Sequence, residues 1–150
     1  MFIIYVDGSC IRNLGPGGYA AIIIAPDSTQ RRIIGSESHT TNSRMELTAA
    51  IAGLQEFRER TELTVKSDSQ YLIRGMNEWL DAWKERGWRK ADNKPVENPD
   101  LWKRLNSLEL RHRITWTWVR GHAGDQMNEL ADRLAWEAAQ REAAKLADVP

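Results

Sequence analysis

Cysteine is almost missing from this chain. The single residue, Cys10, excludes an intramolecular disulfide and any cysteine-cluster zinc site. With no disulfide framework, the chain reads as cytoplasmic. Long apolar runs are missing too. The longest uninterrupted one, Tyr19 to Pro26, is far too short to cross a bilayer, which takes about 20 residues. The N-terminus has no basic start and reaches Asp7 too soon for a signal peptide. No Gly-Lys pair occurs, so a phosphate-binding P-loop is excluded. Gly15-x-Gly17-x-x-Ala20 imitates a dinucleotide fingerprint, but a strand-like run follows where a helix is required. Net charge is also absent: 21 Lys+Arg balance 21 Asp+Glu. Taken globally, that balance argues against a nucleic-acid binder.

What is present changes that first impression. The 150 residues suit one domain, and 41% hydrophobic with 28% charged residues suits an ordinary apolar core. The charge is unevenly spread. From Lys84 to Arg120 ten bases face five acids, so this segment carries +5 and the remainder −5. Such a division suits a chain that holds cations in one place and a polyanion in another.

Periodicity predicts the elements. Phe2 to Val6 is a β-prone run, Gly15 to Gly18 a turn cluster, Tyr19 to Ile24 a second strand and Arg31 to Glu37 a third. Short links make these an antiparallel meander. From Thr41 to Glu59 the apolar residues Leu47, Ala50, Ile51 and Leu54 take helical spacing. Leu63 to Ser67 is a short strand. Gln70 to Met76 and Glu78 to Lys84 read as short helices, and Gly87 to Pro99 as loop. Leu101 to Leu110 is a helix, Ile114 to Val119 a strand, Gly121 to Gly124 a turn and Asp125 to Lys145 a long helix. The order predicts an α/β fold, a mixed five-stranded sheet flanked by helices, and a single domain over residues 1–150.

Four acids sit at informative places. Asp7 ends the first strand, Glu46 opens the first long helix, Asp68 ends the fourth strand and Asp132 lies one turn after Asn128. Strand ends and helix starts are where sites gather in such sheets. Clustered carboxylates repel and need a cation, and hard oxygen donors favour Mg²⁺ or Mn²⁺. Each acid also has a plain structural reading. Ser43-x-x-Glu46 is a capping box, Asp7-Gly8 a turn, Asp68-Ser69 a helix start and Asp132 a solvated helix residue. Asp125 is placed to cap the last helix. Trp102, Trp116 and Trp118 sit in periodic elements and are expected in the core.

Motif context decides between these readings. Asp7-Gly8-Ser9-Cys10 with Asn13 and Gly15-Pro16-Gly17-Gly18-Tyr19 resembles the start of a cellular, bacterial-like type 1 ribonuclease H. Thr41-Asn42-Ser43-Arg44-Met45-Glu46-Leu47 and Ser67-Asp68-Ser69-Gln70-Tyr71 resemble its next two blocks. Trp83-Lys84-x-Arg86-Gly87-Trp88 and Asn98-x-Asp100-Leu101-Trp102 follow. Trp118-Val119-x-Gly121-His122-Ala123-Gly124 and Asn128-Glu129-x-Ala131-Asp132 close the series. The blocks keep family order and spacing over nearly the whole chain.

The resemblance implies a ribonuclease H-like fold with three antiparallel strands followed by two parallel ones. It implies an endonuclease that hydrolyses the RNA strand of RNA–DNA hybrids, leaving 5′-phosphate and 3′-hydroxyl ends. Asp7, Glu46, Asp68 and Asp132 are then the metal ligands for two Mg²⁺ ions, with Mn²⁺ able to substitute. His122 matches the family's mobile loop histidine, whose near-neutral pKa suits proton movement. Asn13, Asn42, Gln70 and Glu46 lie along the RNA strand, with backbone groups near Cys10. Ser43 stands where relatives carry a longer amide, and Arg12 and Leu14 replace the usual Gly and Pro. Thr41 and Asn98 form a pocket for a DNA phosphate, with His39 where Arg is common. Tyr71, Trp79 and Trp83 match the channel for DNA sugars, and Lys84, Arg86, Arg89, Lys90 and Lys94 the basic protrusion. No separate hybrid-binding domain is expected, since the first strand begins at Phe2. A monomer with no membrane contact is expected. Two rivals remain: a transferase or resolvase of the same fold, and a non-catalytic hybrid-binding module. The matches at Asn42, Gln70 and the protrusion speak against the first. Against the second, binding alone needs no costly carboxylate cluster.

Overall fold

The computed structural model describes residues 1–121 and 125–148. β1 (Phe2–Cys10), β2 (Gly15–Ile24) and β3 (Gln30–Thr40) form the antiparallel meander, and α1 (Asn42–Leu54) leads from it to β4 (Glu62–Ser67). α2 (Gln70–Arg74), one π-helical turn (Gly75–Trp79) and α3 (Leu80–Glu85) follow. α4 (Pro99–Arg111), β5 (Arg113–Trp118) and α5 (Gln126–Ala147) complete the order. The strands make one sheet, β3-β2-β1-β4-β5. β1 is antiparallel to β2, as the strand spacing predicted, and β1 with β4 and β4 with β5 are parallel, as the resemblance implied.

Alternation along β1 builds two layers. Successive strand residues face opposite sides of the sheet. Ile4 and Val6, with Ala21 and Ile23 of β2, bury in one cluster with Leu47, Ala50, Ile51 and Leu54 of α1. Tyr5, with Ala20 and Ile22, buries in a second cluster with Ala131, Leu134 and Ala135 of α5. Each fully buried aliphatic side chain contributes about 1.5–3 kcal/mol. Asp7 shares the parity of Tyr5 and so belongs to the α5 side, while Gly8 belongs to the α1 side. A Cβ at Gly8 would lie 2.4 Å from the Glu46 backbone nitrogen. Glycine there lets the start of α1 rest on β1, with the Glu46 backbone against Gly8.

Several sequence expectations need correction. Asp7 does not end β1; the strand runs on to Cys10. Gly15 to Gly18 are not a turn but the start of β2. Gly18 is glycine because α5 crosses there: a Cβ would lie 2.4 Å from the Ala135 carbonyl oxygen. The actual turn is Ile11 to Leu14, where Arg12 and Asn13 take φ values of 65° and 34°. α1 stops at Leu54 rather than Glu59, because no apolar period continues through the charged run beyond it. Its cap is Thr41, whose hydroxyl accepts from the Arg44 amide at 3.1 Å, so Ser43 does not open a capping box. Asp125 does cap α5, accepting from the Met127 and Asn128 amides at 3.1 and 3.2 Å. Trp102 and Trp116 are buried as expected, but Trp118 is 43% exposed. It is the last residue of the edge strand β5, and its indole donates to the Asp68 carbonyl at 3.2 Å.

Candidate active site

The four acids come from four different elements. Asp7 sits inside β1 and is buried; its Oδ1 accepts from the Gly8 amide at 2.8 Å. Asp68 directly follows β4. Asp132 projects from α5 and is half-buried. Burial pushes the Asp7 carboxyl from 3.8 up to about 9, and the charges of Asp68 and Asp132 push in the same direction. A hydrogen bond with Asp132 adds to the rise, and the Gly8 amide opposes it. Asp7, Asp68 and Asp132 therefore share one electrostatic site. Glu46, from α1, joins them. Burial raises its carboxyl, a hydrogen bond from Ser69 lowers it, and the Asp68 charge raises it again.

These residues fit a hard divalent cation. All the donors are carboxylate oxygens, the set such ions prefer. Burial first, and the neighbouring acids second, disfavour the ionised form of Asp7, and a bound cation would offset both. Among the described residues, no three acidic, histidine or cysteine side chains already close around an ion. Asp7 is nonetheless hydrogen-bonded to Asp132 and feels the charge of Asp68, so the three carboxylates act on one another.

Two residues of this region were passed over in the sequence. Ser69 is 6% exposed, and its hydroxyl donates to Glu46 Oε2 at 2.5 Å. Arg44 donates through Nη1 to Asn98 Oδ1 at 3.2 Å and pairs with Asp100 at 2.8 Å, while its amide caps onto Thr41. It thereby joins Thr41 and Asn98, the two residues expected to hold a DNA phosphate. His39, the expected third member, is exposed on β3 and makes no hydrogen bond or ion pair among the described residues. The available signal was positional: Arg44 lies three residues after the cap, where its amide must turn back to Thr41.

The remaining candidates divide into two groups. Asn13 and Asn42 meet directly, with Asn13 Oδ1 accepting from the Asn42 amide at 2.7 Å. Ser43 and Gln70 stand in the first turns of α1 and α2. The Cys10 thiol is turned among carbonyls, nearest to Thr40 O at 3.3 Å. Tyr71, Trp79 and Trp83 line one cavity of about 530 Å³ together with Arg86 and Lys90. The Trp79 and Trp83 rings lie 5.7 Å apart, and the Tyr71 hydroxyl accepts from Asn98 at 3.1 Å and Trp102 at 3.0 Å. The aromatic channel and the Asn98 pocket are thus one connected surface. Lys84 and Arg89 do not line it: Lys84 faces Asp81 at 3.9 Å, and Arg89 donates to the Asn93 carbonyl at 2.9 Å. His122 lies outside the described residues.

Comparison with known proteins gives the same answer. The family described as RNase H matches residues 1–140. A ribonuclease H of Phenylobacterium zucineum is 50% identical over 133 residues, covering 89% of this chain and 86% of that protein. A ribonuclease HI of Caulobacter vibrioides is 49% identical over 134 residues, covering 89% of each. Among solved structures, LC9-RNase H1, a type 1 RNase H with the type 2 active-site motif, superposes with a TM-score of 0.83 at 32% identity. It covers 94% of this chain and 72% of that one. LC11-RNase H1, solved in complex with an RNA/DNA hybrid, shares the fold with a TM-score of 0.69 at 20% identity, covering 94% and 98%. The ribonuclease H family comprises nucleases that use divalent metal ions, and this chain belongs to it.

Proposed function

We propose that this chain is an endonuclease cutting the RNA strand of RNA–DNA hybrids to leave 5′-phosphate and 3′-hydroxyl ends. Asp7, Glu46, Asp68 and Asp132 would hold two Mg²⁺ ions, with Mn²⁺ able to replace them. The observation that carries this reading is the buried Asp7 carboxyl, pushed up to about 9 beside Asp68 and Asp132. Bound there, such ions activate water and neutralise charge on a phosphodiester.

The chain's own groups do the rest. Asn13 and Asn42 are joined by the Asn42 amide donating to Asn13 Oδ1 at 2.7 Å. With Gln70 they read the 2′-hydroxyl, the group that distinguishes RNA from DNA. Thr41, Asn98 and Arg44 receive a phosphate of the DNA strand. The Tyr71, Trp79 and Trp83 cavity takes its sugars, and its wall carries Arg86 and Lys90 together with the acids Glu78 and Glu97. His122 serves proton transfer near neutral pH. The chain acts as a single catalytic domain and a monomer in the cytoplasm. Among the described residues, no helix is long and apolar enough to cross a membrane.

One gel tests the reading. Labelled RNA–DNA hybrid, double-stranded RNA and double-stranded DNA are each incubated with Mg²⁺ or EDTA. The RNA of the hybrid alone should be cut, and only with Mg²⁺. Equal cutting of DNA duplex would favour a transferase or resolvase, and binding without cutting a hybrid-binding module.

A further inference from the structure

We infer that Ser69 is a positioning residue that fixes Glu46 for the metal ions. The inference rests on the proposed role of the four acids and goes beyond it.

Ser69 is buried between two elements. Its own amide donates to the Ser67 hydroxyl at 3.0 Å, which ties it to the end of β4. Its hydroxyl caps α2, accepting from the Leu72 amide at 3.1 Å. A serine hydroxyl has one proton and two lone pairs. An amide can only donate, so the Leu72 contact occupies a lone pair and leaves the proton for Glu46. The 2.5 Å contact to Glu46 Oε2 therefore runs from Ser69 to the carboxylate. Charge-assisted bonds of this kind fall at about 2.5–2.7 Å.

The bond does two things for Glu46. It commits one lone pair of Oε2, so the carboxylate can meet a cation only through what remains, at a fixed ring of directions. It also ties a side chain of α1 to the residue that follows Asp68, so two proposed ligands from different elements keep one relative placement. Without the hydroxyl, Glu46 is a flexible chain that must be ordered each time an ion binds. Partners that orient a metal ligand are typically worth about 10–100-fold in metal affinity or activity.

The test measures ion binding without turnover. Calorimetric titration of Mg²⁺ and Mn²⁺ is done without hybrid on the wild type, Ser69→Ala, Ser69→Gly and Ser69→Thr, with melting curves for each. Glycine is included because it replaces a cap serine at little cost to the helix. Ser69→Ala and Ser69→Gly should bind the ions about tenfold or more weakly. Ser69→Thr keeps the hydroxyl and should bind within about threefold of the wild type. The inference is overturned if folded Ser69→Ala or Ser69→Gly binds ions like the wild type. It is equally overturned if a Ser69→Thr variant that melts like the wild type binds as weakly as Ser69→Ala. Asp7→Asn, titrated alongside, separates the two levels. If it alone loses the ions, the four-acid reading stands and only the role of Ser69 fails; if it also binds normally, the four-acid reading fails.

Discussion

Asp7→Asn should abolish cleavage and yet make the metal-free protein more stable. Folding carries the Asp7 carboxyl from the ordinary 3.8 to about 9, through burial and the charges of Asp68 and Asp132. At pH 7 the folded chain must therefore hold a proton that the unfolded chain releases. At 1.36 kcal/mol per unit, this costs about 4 kcal/mol. Asparagine has the shape of the protonated acid, keeps an oxygen for the Gly8 amide and avoids that cost. Part of the rise is shared with neighbouring acids, so the expected gain is about 2–4 kcal/mol, or roughly 10 °C in Tm for a chain of this size. The sign follows from the folded pKa lying above the unfolded one. The wild type's contribution from Asp7 is fully present below about pH 4 and is lost as pH rises toward 9. Urea unfolding in EDTA should thus show the two proteins nearly equal at the acid end and well separated at pH 7. Added Mg²⁺ should stabilise the wild type far more than the variant. A gap that stays constant with pH, or a wild type that is the more stable at pH 7, would refute the electrostatic reasoning.

Three further outcomes are expected. His112 is buried, its Nδ1 accepts from the Thr61 amide at 3.2 Å, and burial, with Arg111 and Arg60 nearby, holds its pKa below the usual 6.5. Stability from His112 is present above about pH 6.5 and lost as pH falls through the lowered folded value. NMR should find the ring titrating below the ordinary value, with the proton of its neutral form on Nε2, and titration at or above the ordinary value would contradict this. In Gly75→Ala, the new Cβ would lie 2.0 Å from the fully buried Trp102 ring, so the unfolding free energy from urea curves should fall by about 1–3 kcal/mol or more, and an unchanged value would argue against this packing. Arg12→Gly should raise stability by about 1 kcal/mol by relieving the φ of 65°, and a lower Tm would mean the side chain contributes packing that outweighs the strain.

The sheet was legible because its signals are local. The runs at Phe2, Tyr19 and Leu63 have the right period, and the switch to helical spacing after Thr41 marks the end of the meander. What misled were glycines. Gly17 and Gly18 look like a turn in one dimension, but they are strand residues thinned by α5 on one side and α1 on the other. That pressure comes from elements far along the chain, so no local reading finds it. The acids were legible as a set only through motif context, because each taken singly is equally a cap or a turn. Ser69 and Arg44 were hidden for a different reason. Both already had an ordinary local job, at a helix start and next to a cap, and their second job depends on α1 meeting α2 and α4. Trp118 shows the converse error. Its period matches Trp116, but periodicity does not say where the packed layer stops.

The central claim is that the four carboxylates hold the ions that drive hydrolysis. It is tested most directly by the initial rate of cutting of a hybrid labelled in its RNA strand, measured across a Mg²⁺ series for the wild type, Asp7→Asn and Asp68→Asn. The wild type should rise from no cutting in EDTA to a plateau, with products ending in 5′-phosphate and 3′-hydroxyl, and both variants should remain at the EDTA baseline while still binding hybrid. Mg²⁺-dependent cutting by either variant at a rate near the wild type would contradict it.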